Sequence, residues 1–228
     1  HIVFDPEVFL QTLRTATVAA RNNHIVTLGV KPTRPDTGYG YIKKCTPLES
    51  LNDVFKVERF VETPDLNKAK SYLAQGDYFW NCGVFLWKVS TVLDEIKAYM
   101  PELSAKMAGI IEHIIDHKGK FIYRTLNPKG KEIYQSLNSI SIDYGIMEKS
   151  SKTVIVPSSM QWNDVGSWSS LEDIFPRDPQ GNVFNENVVS LDCSESIIQS
   201  NKRLIAGVGL KNMIVIDTPD ALLVCQKD

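Results

Sequence analysis

Two hydrophobic periods run along this chain, and the change from one to the other divides it. Phe9, Leu13, Ala16 and Ala20 recur at helical spacing behind Asp5-Pro6-Glu7, where a capping carboxylate precedes a proline that needs no N–H. That pattern predicts a helix ending at Asn22-Asn23. His24 to Val30 reads as a short buried strand. Since Ile2-Val3 looks like the end of an earlier strand, the order strand, helix, strand predicts a parallel β-α-β unit. Val54 to Val61 alternates, with Phe55, Val57 and Val61 on one face and Lys56 and Glu58 on the other. Leu66 to Gln75 reads as a short helix, and Phe79 to Trp87 is strongly β-forming. Val89, Val92, Leu93, Ile96 and Met100 mark a helix. Leu103, Met107, Ile110, Ile111 and Ile114 mark another, begun by Pro101. Ser141 to Lys149 begins a further helix, buried through Ile142, Gly145 and Ile146, and Thr153 to Val156 is a β run.

Beyond Phe175 to Asn182 the helical period disappears. Short β runs follow at Val188–Leu191, Ser196–Gln199, Leu204–Val208, Met213–Asp217 and Ala221–Cys225, spaced by about eight to ten residues. This predicts an α/β domain over residues 1–178 and a small all-β region of stacked coils over residues 179–228.

Composition narrows the function classes. With 228 residues and 43% hydrophobic content the chain can bury a core. A net charge of −2 gives no electrostatic reason to expect nucleic acid or a membrane surface as partner. No apolar run approaches the roughly 20 residues of a membrane span. Cys45, Cys82, Cys193 and Cys225 form no C-x-x-C pair and read as free thiols, which predicts a cytoplasmic protein. The chain opens on a strand end without Met, so it is expected to start inside a domain.

Candidate chemistry sits at strand ends. Lys31 to Ile42 is a loop after a strand, where open α/β sheets bind ligands, and Gly38 and Gly40 allow close backbone approach or simply serve turns. Asn81, inside the β run 79–87, either bonds neighbouring backbone or faces a ligand. Asp143 lies in the first turn of its helix, as a favourable charge there or as a ligand contact. Asp164 lies between Trp162 and Trp168 and beside Gly166. It can cap the next helix, or hold a hard cation such as Mg²⁺, which takes one or two protein carboxylates and shares the rest with substrate phosphates. His113 and His117 fall four apart on the helix begun by Pro101, a spacing that suits a solvated helix end better than a metal pair.

In this order the segments resemble the bacterial mannose-1-phosphate guanylyltransferases. The resemblance rests on Thr27-Leu28-Gly29-Val30, Thr37 to Ile42, Phe60 to Pro64, Trp80 to Phe85, Ser141 to Tyr144, Trp162 to Trp168, Arg203 to Leu210 and Asp217 to Val224. It implies a Rossmann-like nucleotidyltransferase domain followed by a short left-handed β-helix. The implied reaction joins GTP and mannose 1-phosphate into GDP-mannose and pyrophosphate. By resemblance Gly40, Glu62 and Asn81 lie around the sugar and Asp164 is a Mg²⁺ ligand, with Asp143 beside them. Thr63 stands where the family has a lysine that contacts the sugar phosphate, and Cys82 where Ser or Ala is usual. The family's Gly-rich phosphate loop and first metal Asp would lie before His1. The chain alone is therefore expected to be inactive, and to show near residues 24–30 either an open sheet edge or another chain or segment covering it. Another sugar-1-phosphate nucleotidyltransferase, or a non-catalytic sugar-phosphate-binding module, fits the same residues. A homo-oligomer is left open.

Overall fold

The computed structural model describes residues 1–119 and 121–227. In chain order its first elements are β1 (Ile2–Val3), α1 (Pro6–Arg21), β2 (Ile25–Val30), β3 (Tyr41–Pro47), β4 (Phe55–Val61), α2 (Leu66–Gln75) and β5 (Tyr78–Leu86). There follow α3 (Val89–Tyr99), α4 (Pro101–Ile111), β6 (Ile114–Lys118), β7 (Ile122–Leu126) and α5 (Pro128–Gln135). A π-helical turn over Asp143–Met147 precedes β8 (Thr153–Ser158), β9 (Trp162–Asn163) and the short α6 (Leu171–Ile174). The chain ends in β10 (Val183–Phe184), β11 (Val188–Leu191), β12 (Ile197–Ser200), β13 (Ile205–Val208), β14 (Met213–Asp217) and β15 (Leu222–Gln226). The contacts group these elements into two compact units. One runs from Asp5 to Met160, and the other combines His1–Phe4 with the residues from Gln161 onward.

In the first unit β2, β5, β3, β4 and β8 close on one another. β2 is its centre: all six residues are buried, β5 runs antiparallel on one side and β8 parallel on the other. One expectation fails here. β1 does not begin a parallel β-α-β unit, because it pairs antiparallel with β9. Near residues 24–30 the second alternative holds: other segments of the chain cover the edge, and both sides of β2 are taken. Its apolar residues need cover on both faces and at both edges, and β5 and β8 supply the edges. The core gathers Ile25, Ile42, Phe60, Phe79, Ile146 and Ile155. Phe60 replaces Val61 as the buried residue at the end of β4. The register with β3 shifts between Lys43↔Arg59 and Lys44↔Val57, and such a bulge reverses the alternation beyond it.

The helix begun by Pro101 ends at Ile111, and Ile114–Lys118 is a strand paired antiparallel with β7. His113 and His117 are thus not an i, i+4 helical pair. The β-branched Ile114-Ile115 favours the extended form. His113 Nδ1 lies 3.2 Å from Asn127 Nδ2, while His117 stacks on Tyr123 with ring centroids 4.5 Å apart.

In the second unit β10, β12 and β14 stack in parallel, as do β11 and β13, and β15 returns antiparallel on β14. Val183, Ile197, Ile214 and Ile216 fill the interior. Asn182 bonds across one coil, donating to Cys193 O at 3.0 Å and accepting from Ser196 N at 3.0 Å. Parallel strands stacked at successive coils are the β-helix arrangement expected of this region.

Candidate functional site

Asn81 is the hub of a polar cluster in the first unit. Its Nδ2 donates to Glu62 Oε1 at 3.3 Å and to Asp143 Oδ1 at 3.2 Å. Its Oδ1 accepts from Thr27 Oγ1 at 3.2 Å and from the Gly83 N–H at 3.1 Å. Each partner comes from a different element: Thr27 from β2, Glu62 from the residue after β4, Gly83 from β5 itself and Asp143 from the π-helical turn. The loop after β2 adds Gly40, whose carbonyl accepts the Asn81 N–H at 2.8 Å. A Cβ on Gly40 would fall 2.5 Å from Glu62 Oε1, so any larger residue there would displace the Glu62 carboxylate. That loop is folded on itself and on the neighbour of Asn81. Arg34 pairs with Asp36 at 2.9 Å and lies over the Trp80 ring, against which Tyr39 packs edge-on.

Burial pushes the Glu62 carboxyl above its ordinary value. The charge of Asp143 adds to this, the Asn81 amide opposes it and Glu148 contributes weakly in the same direction as Asp143. Asp143 begins the π-helical turn, in which the Glu148 N–H reaches back to Asp143 O at 3.0 Å. Gly145 lets that wider turn settle on Met100, whose Sδ would be 2.6 Å from a Cβ. Sequence periodicity read this stretch as the start of an ordinary helix. Thr63 is exposed with φ 39°, a left-handed conformation costly for a β-branched residue.

Asp164 belongs to the second unit and follows β9. Its Oδ1 accepts the Gly166 N–H at 3.1 Å, which turns the backbone locally ahead of the helical turn over Trp168–Ser170. Val165 has φ 55°, again strained for a β-branched residue. Asn163, 4% exposed, holds that conformation by accepting the Val165 N–H at 2.7 Å. Gly166 leaves room for the carboxylate: a Cβ there would meet Asp164 Oδ2 at 2.7 Å. Among the described residues no group of three His, Cys, Asp or Glu gathers as a metal cage. A single half-buried carboxylate fits a hard cation held jointly with substrate phosphates.

The structure therefore brings Gly40, Glu62, Asn81 and Asp143 together and leaves Thr63 next in chain to Glu62. Sequence reasoning missed Thr27, Gly83 and Asn163. Thr27 carried a signal, as the one hydroxyl in Ile25–Val30. Gly83 and Asn163 act through backbone geometry that residue type alone does not display.

The nucleotidyl transferase family profile matches residues 1–181, and the mannose-phosphate isomerase/GMP-like β-helix domain matches residues 186–228. The xanthan biosynthesis protein XanB of Xanthomonas campestris pv. campestris (strain B100) is 41% identical over all of this chain and 46% of its own length. The mannose-1-phosphate guanylyltransferase RfbM of Salmonella typhimurium (strain LT2) is 37% identical, over all of this chain and 46% of its own. The crystal structure of mannose-1-phosphate geranyltransferase from Thermus thermophilus superimposes with a TM-score of 0.81 at 31% identity. It covers 100% of this chain and 63% of that one. The chain thus spans about half the length of the curated relatives it matches. Nucleotidyl transferases of this kind work with a divalent metal. Among the described residues no helix is long and apolar enough to cross a membrane. Its match across both α/β and β-helix regions places the chain in the nucleotidyl transferase family.

Proposed function

We propose that the protein transfers a guanylyl group from GTP to mannose 1-phosphate, giving GDP-mannose and pyrophosphate. The observation that carries this reading is the convergence of Glu62 and Asp143 on the Asn81 amide beside Gly40. The relative named as a mannose-1-phosphate guanylyltransferase supports the choice of sugar and base. Two carboxylates tied to one amide are acceptors that suit the hydroxyls of a pyranose. They fix the ring, and fixed geometry lowers the barrier by orientation. Thr63 offers one hydroxyl to the sugar phosphate.

The nucleophile is a phosphate oxygen of mannose 1-phosphate. With a second pKa of about 6 it is already deprotonated at neutral pH and needs no general base. It attacks the α-phosphorus of GTP, and the bond to the pyrophosphate oxygen breaks in line. A divalent cation, Mg²⁺ in this reading, neutralises phosphate charge when bound. Asp164 would hold it, with Asn163 and the strained Val165 fixing the direction of the carboxylate.

The test supplies GTP, mannose 1-phosphate and Mg²⁺ to the full-length protein and follows pyrophosphate. Release is expected only with both substrates present, and ATP, UTP or CTP should not replace GTP. Asp164→Asn should keep the fold and weaken Mn²⁺ binding, read by paramagnetic relaxation, by at least about tenfold. Near-normal turnover and Mn²⁺ affinity in that variant would remove Asp164 from the metal site. Pyrophosphate release without the sugar phosphate would remove the proposed reaction.

A further inference from the structure

The direction of the Asn81 amide is decided by chemistry, because a backbone N–H can only donate. The atom facing the Gly83 N–H at 3.1 Å must therefore be the carbonyl oxygen. Thr27 then donates to the same oxygen, and both Nδ2 hydrogens point to Glu62 and Asp143. All the amide's usual bonding positions are filled. Turned over, it would set its NH2 against the Gly83 N–H and its oxygen against two carboxylates, leaving polar groups unpaired.

The strand itself is built for this. Pairing of β2 with β5 shifts between Thr27↔Phe85 and Gly29↔Asn81, so β5 carries extra residues at Cys82–Val84. Gly83 has φ 68°, and nothing lies within 4 Å of the place a Cβ would take, so the need for glycine is conformational. Cys82 Sγ fills the bulge against Leu28 O at 3.3 Å, and burial pushes its thiol up to about 11, so it stays a neutral plug. Bulges of this kind re-aim side chains beside active sites. Thr27, 0% exposed, reaches the amide from the central strand.

We propose that Thr27 and the Gly83 bulge are positioning residues, locking the Asn81 amide as a double donor that holds Glu62 and Asp143 apart and aimed as paired acceptors for the hydroxyls of a sugar phosphate. This rests on reading the cluster as the sugar site. The lock has a consequence that a merely structural threonine would not have. With the oxygen held, the amide keeps donating to Glu62, which Asp143 and Glu148 face as like charges. Without it, Glu62 holds its proton more tightly.

The experiment compares wild type, Thr27→Val and Thr27→Ser. Valine keeps the shape and removes the hydroxyl, while serine keeps the hydroxyl. Two quantities are read: the titration midpoint of the Glu62 carboxyl by ¹³C NMR, and mannose 1-phosphate affinity by calorimetry at pH 8. Thr27→Val should raise the midpoint and weaken binding about three- to tenfold, and Thr27→Ser should restore both. An unchanged midpoint in a folded Thr27→Val overturns the proposal, whatever its thermal stability. If wild type does not bind mannose 1-phosphate, the sugar reading fails, and the midpoint decides the positioning role alone. Should Thr27→Val not fold, the wild-type Asn81 side-chain amide protons serve instead. Both must shift as Glu62 titrates, and a failure of either to respond overturns the lock.

Discussion

At the scale of single residues, the cluster around Asn81 trades stability for a fixed arrangement of acceptors. Glu62 is half-buried, and the nearby charge of Asp143 adds to the effect of burial, so the folded state binds its proton more tightly than the unfolded chain. The sign follows from proton linkage. Stability from this group is fully present below the ordinary glutamate value of 4.5 and is lost as pH rises through the raised folded value. Glu62→Gln keeps the shape and removes the titration. Urea midpoints of wild type and Glu62→Gln, measured at pH 4.5 and pH 8, should therefore diverge, with wild type losing ground to the variant as pH rises. Parallel changes in the two proteins would show that Glu62 is not held in this state. Asn81 was legible as a site candidate because an amide stands out inside a β-forming run, whereas Glu62 became one only through the family resemblance. Thr27 was passed over although it is the one hydroxyl in β2, because a threonine suits a buried strand whether or not its hydroxyl has a task.

At the scale of elements, periodicity located most helices and strands and failed where one residue changes the phase. The bulge between β3 and β4 buries Phe60 in place of Val61, and the bulge in β5 turns Asn81 toward Thr27. Neither bulge has a sequence period, since each is set by the partner strand. The helix begun by Pro101 was drawn too long for a related reason. Ile114 continues its apolar spacing but pairs with Leu126 across a hairpin, a contact between residues distant in sequence. The closure around β2 makes a sharper point. Gly29 sits where a Cβ would press on the Ile155 side chain and lie 2.9 Å from Phe79 Cβ. Gly29→Ala should therefore destabilise the protein by about 1–3 kcal/mol by overpacking between β5 and β8. Chemical denaturation would check this, and a stability equal to wild type would mean that β2 is less tightly enclosed than described.

At the scale of the whole molecule, the change of hydrophobic period near residue 180 marked the passage from mixed α/β to stacked β coils. The short apolar runs at 188–191, 204–208 and 213–217 fall within a residue of β11, β13 and β14. Which strands pair was not legible. The place of Ile2–Val3 beside β9, and of β2 between β5 and β8, depends on contacts across most of the chain. What unites the scales is the Asn81 cluster. Elements far apart in sequence place Thr27, Glu62 and Asp143 within hydrogen-bonding reach of the single Asn81 amide. The measurement that bears on it most directly is calorimetric titration of mannose 1-phosphate into wild type and Asn81→Ala at pH 8. Wild type should bind, and the variant, with both carboxylates released from their shared donor, should bind at least about tenfold more weakly. Equal affinity in the two proteins would contradict the assignment of this cluster to the sugar.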